Sequence, residues 1–193
     1  GPSGAGKSTL LRLLLGFENP QSGSIYYDNQ DLAGLDLQAV RRQIGVVLQD
    51  GKLMPGSIFE NITGASGTSA GSSNPLDAAW EAARIAGLDH DIERLPMGIH
   101  TMVMEEVRTF SGGQRQRLLI ARAIASKPHI LFFDEATNSL DNASQEQVTR
   151  SLDNLHATRV VIAHRLSTIV NADRIYVLVA GSLVQSGTYE ALI

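Results

Sequence analysis

Gly1-Pro2-Ser3-Gly4-Ala5-Gly6-Lys7-Ser8 fills every fixed position of the pattern G-x-x-x-x-G-K-[ST]. Behind it Thr9 and the leucines at 10, 11, 13, 14 and 15 read as a helix over 7–17, apolar enough to be buried. Glycines let a backbone wrap round a phosphate with its N–H groups inward, at the positive end of the next helix. Lys7 is placed to reach β- and γ-phosphates, and the Ser8 hydroxyl to ligate Mg²⁺. The plainer reading is a Gly-rich turn before a buried helix, but a chance match of the whole pattern is on the order of 1%. Such a loop is fed by a strand. None precedes Gly1, so the chain is expected to be an N-terminal truncation.

Outward from the loop, 24–27 reads as a strand turned at Asp28-Asn29, and 37–43 as a helix feeding a strand over 44–48. Residues 64–74 form a Gly/Ser/Thr-rich loop, 75–86 an Ala-rich helix, and 111–126 a second strong helix stopped by Pro128. Strand-like runs at 130–133, 160–163 and 175–179 then alternate with helical stretches at 142–155 and 167–171. That alternation implies an α/β fold with a parallel sheet, into which the helical middle is inserted. The expected division is a P-loop core in 1–50, a helical subdomain in 51–126 and the rest of the core in 127–193.

With 193 residues, 43% of them hydrophobic, the chain can bury one ordinary core or a core with a smaller lobe. A net charge of -4, with lysines and arginines scattered, argues against nucleic acid as a partner. The absence of cysteine excludes disulfides and thiolate metal sites. No apolar run approaches the roughly 18–20 residues that a membrane helix needs, so this segment is not expected to insert into a bilayer itself.

Two further stretches carry chemistry. Ile130-Leu131-Phe132-Phe133-Asp134-Glu135 is an apolar strand ending in two acids, where ligands of parallel sheets bind. Asp134 would hold Mg²⁺, and Glu135 would polarise an attacking water. Alone, a strand ending in acid can serve solubility only; behind a P-loop it is the other half of a site. Ser111-Gly112-Gly113-Gln114 opens the long helix with capping-box spacing. Two glycines are costly for capping alone, yet they expose backbone N–H groups to an anion.

P-loop, Ser-Gly-Gly-Gln and Asp-Glu, in that order, resemble the ABC transporter ATPase family, whose signature is usually Leu-Ser-Gly-Gly-Gln; here Phe110 stands in the leucine position. The resemblance implies a P-loop NTPase, a RecA-like parallel-sheet core flanked by helices with an inserted α-helical subdomain, that binds ATP with Mg²⁺. It implies that Gln49 is the Q-loop glutamine, a further Mg²⁺ ligand, and His164 the switch histidine at the γ-phosphate. Otherwise a Gln or a His after a strand is usually a surface residue. Asp141, in Ser139-Leu140-Asp141, would be the D-loop residue that crosses to a partner. ATP would lie between two copies, held by residues 1–9, Gln49, Asp134, Glu135 and His164 of one, with Ser111, Gly112, Gly113 and Gln114 of the other covering it.

Residues 57–62 and 163–168 are similar to the exporter branch, whose ATPase is commonly fused behind a transmembrane domain at the cytoplasmic face of the membrane. More narrowly, 49–58 resembles the NHLM-type bacteriocin or peptide secretion ATPases. Before the signature, Met104 and Val107 replace two glycines common in exporters. The alternatives are a soluble ABC ATPase of DNA repair or chromosome maintenance, and a module that binds ATP without hydrolysis. A short, cysteine-free helical lobe argues against the first; Glu135 and His164 argue against the second.

Overall fold

The computed structural model describes residues 4–64, 74–104, 110–134, 140–163 and 166–193. It divides into two compact units, Gly1–Arg41 with Val161–Ile193, and Arg42–Val160.

In the first unit the helix Lys7–Leu14 stops short of the expected 17 because Gly16 adopts a left-handed φ of +66°. Its last carbonyls are taken up by side chains brought from elsewhere. The Tyr27 hydroxyl donates to Leu14 O at 2.8 Å, and Arg41 donates from Nε to Leu15 O at 3.1 Å and from Nη2 to Gly16 O at 2.8 Å. Burial pushes the Tyr27 hydroxyl pKa up from its ordinary value. Arg41 also stacks 4.7 Å over the Phe17 ring. Tyr27 stands on the short hairpin Tyr26–Tyr27 and Gln30–Asp31, turned at Asp28 and Asn29 with φ of 47° and 63°.

The strand Ile175–Val179 departs from the parallel arrangement read from the sequence. It pairs antiparallel with Ser182–Gly187. The physical reason is the turn: Ala180 and Gly181 take φ of 47° and 79°, which folds the chain straight back.

In the second unit, Ile44–Val47 and Ile130–Asp134 run parallel, in register from Ile44 against Ile130 to Val47 against Phe133. Thr158–Ile162 lies on the far side of Ile130–Asp134. Leu131 and Phe132 are essentially sealed from solvent, as a strand covered on both faces must be. The helix Gly112–Ile124 crosses this pair so closely at Gly45 that a Cβ there would meet Ala123 O at 2.2 Å.

That helix is the centre of the unit. Leu118, Ile120 and Ala121 have no exposed surface, and it packs on the helices Ile58–Thr63 and Pro75–Ile85 as well as on the strand. Its apolar residues cluster in the second half, from Leu118 to Ile124, where the packing is closest, while Gln114, Arg115 and Arg117 stand in the first half. Pro75–Ile85 starts on an Asn74 cap with proline at its first position and buries Ala78, Ala79, Ala82 and Ala83. Most of the loop expected at 64–74 lies outside the described residues. Among the described residues no helix is long and apolar enough to cross a membrane.

Candidate nucleotide site

The loop before Lys7–Leu14 depends on glycine for its backbone. Gly4 and Gly6 have φ of +78° and +92°, where a side chain is disfavoured by roughly 1–2 kcal/mol. At Gly4 a Cβ would meet nothing within 4 Å, so conformation rather than space calls for glycine there. At Gly6 it would lie 3.7 Å from the Cα of Gly181. Ala5 between them is 3% exposed, and its carbonyl accepts from the Gly181 N–H at 3.2 Å. The hairpin turn thus backs the loop. The helix has Gly6 as its N-cap and no acid in its first turn, and the positive end of such a helix favours an anion. Lys7 is half-buried, and Ser8 and Thr9 face solvent. Gly1, Pro2 and Ser3 lie outside the described residues.

In the second unit, parallel register sets two sequence candidates at one end of the sheet. Gln49 follows Val47 by two positions and is exposed; Asp134 follows Phe133, closes its strand and is only 9% exposed. Glu135 lies outside the described residues, as does His164. Asp141 caps the helix Asn142–Asp153, its carboxylate accepting from Ser144 N at 3.4 Å.

Ser111 and Gln114 form the capping box that their spacing predicts. Gln114 N donates to Ser111 Oγ at 3.2 Å, and Ser111 N donates to Gln114 Oε1 at 3.0 Å. Gln49, Ser111 and Gly112 come together as walls of one cavity of about 600 Å³, with Lys52, Arg115 and Gln116. Gln116 is 7% exposed, and its amide nitrogen has no hydrogen-bond partner among the described residues.

The place of Gln116 and Lys52 in the cavity wall, and the Asp91–Arg117 pair, were not legible in the sequence. Asp91 stands on the short helix Asp89–Glu93 and accepts from Gln114 Nε2 at 3.0 Å and from Arg117 Nη2 at 2.8 Å. No local pattern connects positions that far apart; only the fold does. Chemically, the left-handed glycines, the helix N-terminus they lead into and Lys7 fit a polyphosphate. The Ser8 hydroxyl in the first unit, and the Gln49 amide oxygen and Asp134 carboxylate in the second, are each of the hard oxygen type that Mg²⁺ takes.

A family model described as "ABC transporter" matches residues 1–138. The alpha-hemolysin translocation ATP-binding protein HlyB of Escherichia coli O157:H7 is 45% identical over 195 residues, covering 100% of this chain and 27% of that protein. The mitochondrial iron-sulfur clusters transporter ABCB7 of Homo sapiens is 41% identical over 195 residues, again across 100% of this chain and 25% of its own length. Among solved structures, a bacterial Atm1-family ABC exporter with ATP bound superposes with a TM-score of 0.90 at 41% identity, covering 100% of this chain and 33% of that one. This chain therefore spans about a quarter of the length of the curated relatives it matches. With the glycine loop, the parallel strand pair and the Ser111–Gln114 cap, these likenesses place it: the chain belongs to the ABC transporter family and has the P-loop NTPase fold of that family's ATP-binding domain.

Proposed function

We propose that this domain binds MgATP between two copies of itself and hydrolyses it to power transmembrane export, in a protein whose transmembrane domain is fused upstream. The observation that carries the reading is the pair of left-handed glycines, Gly4 and Gly6, the second of which is the N-cap of the helix that Lys7 begins. Residues 1–9 hold the phosphates, with Lys7 as the charge against the β- and γ-phosphates. Ser8, Gln49 and Asp134 would hold Mg²⁺, which when bound would neutralise charge on the phosphate oxygens. Glu135 accepts a proton from the attacking water and His164 orients it against the γ-phosphate. Residues 111–114 of the second copy cover the nucleotide, and Asp141 crosses to that copy.

The division into a P-loop ATPase core over 1–50 and 127–193, with a helical subdomain over 51–126, belongs to this reading. So does its place at the cytoplasmic face of the membrane. For cargo, the toxin-translocating relatives and the resemblance of residues 49–58 favour a peptide of bacteriocin type. The relatives' names give no support to the soluble repair alternative.

Glu135→Gln in the intact protein tests the chemistry. It retains ATP binding, slows turnover by roughly 10²-fold or more, and traps an ATP-stabilised dimer visible by cross-linking between the two copies. Turnover near that of the unsubstituted protein would overturn the role given to Glu135.

A further inference from the structure

We infer that Asp91 is a positioning residue for the nucleotide-covering end of the Gly112–Ile124 helix, acting by fixing which way the Gln114 amide points. The inference rests on the proposed role of residues 111–114. Gln114 uses both ends of its amide: Oε1 accepts from Ser111 N at 3.0 Å, and Nε2 donates to Asp91 Oδ1 at 3.0 Å. The last torsion of a glutamine is broad, and its two amide orientations are nearly alike in shape. A carboxylate settles the choice. It can only accept, so Nε2 must face Asp91 and Oε1 must face the Ser111 N–H.

Asp91 is itself held. Arg117 Nη2 donates to Asp91 Oδ2 at 2.8 Å, and Arg117 Nη1 to Gly87 O at 2.6 Å. Their side chains are 18% and 27% exposed for Arg117 and Asp91 respectively, which makes this pair less screened than a surface ion pair. Gly87 lies just past the helix Pro75–Ile85, with φ +67°. Two side chains of the Gly112–Ile124 helix, Gln114 and Arg117, therefore bond one carboxylate, and its charge reaches Ser111 through a single amide. With the capping box closed, Ser111 Oγ accepts from Gln114 N at 3.2 Å, which orients its own O–H away from the helix. That hydroxyl and the Gly112 and Gly113 amides are then set before a nucleotide arrives, so their ordering is not charged against binding.

Asp91→Asn in the intact protein separates this role from a merely structural one, because the shape is kept. The Asn oxygen stays with the Arg117 guanidinium, and its NH₂ then faces Gln114. The amide of Gln114 turns over, and its NH₂ opposes the Ser111 N–H. The expected result is a KM for ATP raised roughly fivefold to tenfold, with kcat at saturating ATP held within about twofold. Hydrogen–deuterium exchange without nucleotide should quicken in the peptide over 110–114 and stay unchanged over the strand Ile44–Val47. Asp91→Ala, which removes the acceptor altogether, should reproduce the same split, and it decides the matter if Asp91→Asn fails to fold. An unchanged KM together with unchanged exchange over 110–114 overturns the inference, as does a fall in kcat that tracks faster exchange throughout the domain. Absence of ATP turnover in the unsubstituted protein is a different result, one that sinks the ATPase reading itself.

Discussion

Arg122 holds Asn61 by both its side chain and its backbone. Its Nη2 donates to Asn61 Oδ1 and its Nε to the Asn61 carbonyl at 2.7 Å, while Nη1 reaches Lys52 O at 3.0 Å. Asn61 has no exposed surface and uses its whole hydrogen-bonding capacity. Oδ1 also accepts from Met54 N at 2.9 Å, and Nδ2 donates to Met54 O at 2.8 Å and Ser57 O at 3.0 Å. The segment that follows Gln49 is thereby fastened to the same helix whose start carries Ser111.

Asn61→Leu keeps the volume and deletes the node. It takes the side-chain partner from Met54 N and O and from part of a half-buried guanidinium. A buried group left unpaired costs about 1–3 kcal/mol, but Met54 is exposed and its groups can turn to water, so the variant is expected to lose about 2–4 kcal/mol in urea unfolding. Arg122→Met should cost a similar amount, and the double variant clearly less than the sum, since the two residues share their bonds. Strict additivity in that cycle would show that they act separately.

Acid should reach a second cap before it reaches the core. Glu60 lies in the capping box of the helix Ile58–Thr63, where its Oε2 accepts from Ser57 N at 2.6 Å and Ser57 Oγ at 2.9 Å. Those bonds, the backbone one first, hold the carboxyl below its ordinary value. A lowered folded-state pKa means that the charged form's contribution is complete above the unfolded value of about 4.3 and disappears as pH falls through the folded one. The stability difference between the unsubstituted protein and Glu60→Gln should therefore be constant above about pH 5.5 and shrink below about pH 4. A difference that grew on acidification would contradict the assignment.

What the sequence disclosed was whatever its short-range chemistry dictates. The buried strands at 44–47 and 130–134 are continuous apolar runs, and the Ser111–Gln114 box is an interaction three residues long. The glycine loop is legible for the same reason: positive φ at Gly4 and Gly6 is a local demand. The antiparallel course of Ile175–Val179 was hidden because its turn uses Ala180, an unusual residue at φ 47°. The helix Ile58–Thr63 carries the same capping signal as 111–114, but at six residues it is too short for apolar periodicity to register. Bonds such as Asp91 to Gln114 or Asn61 to Arg122 span 23 and 61 positions. No pattern in the chain announces them, because the topology must exist before the partners meet.

Lys7→Ala bears on the loop most directly. The helix that Lys7 begins has no acid in its first turn, and the phosphates are proposed to meet its backbone N–H groups and the lysine ammonium. The backbone share survives the substitution, while the charge-assisted share, about 1.5–3 kcal/mol, does not. A titration of the intact protein with a fluorescent ATP analogue should show binding weakened roughly 10- to 150-fold. Lys7→Arg should restore little, since a planar, forked guanidinium does not replace a compact point charge inside a loop shaped by glycine. Undiminished affinity in Lys7→Ala would mean that the nucleotide is held elsewhere, and the loop would revert to a glycine turn before a buried helix.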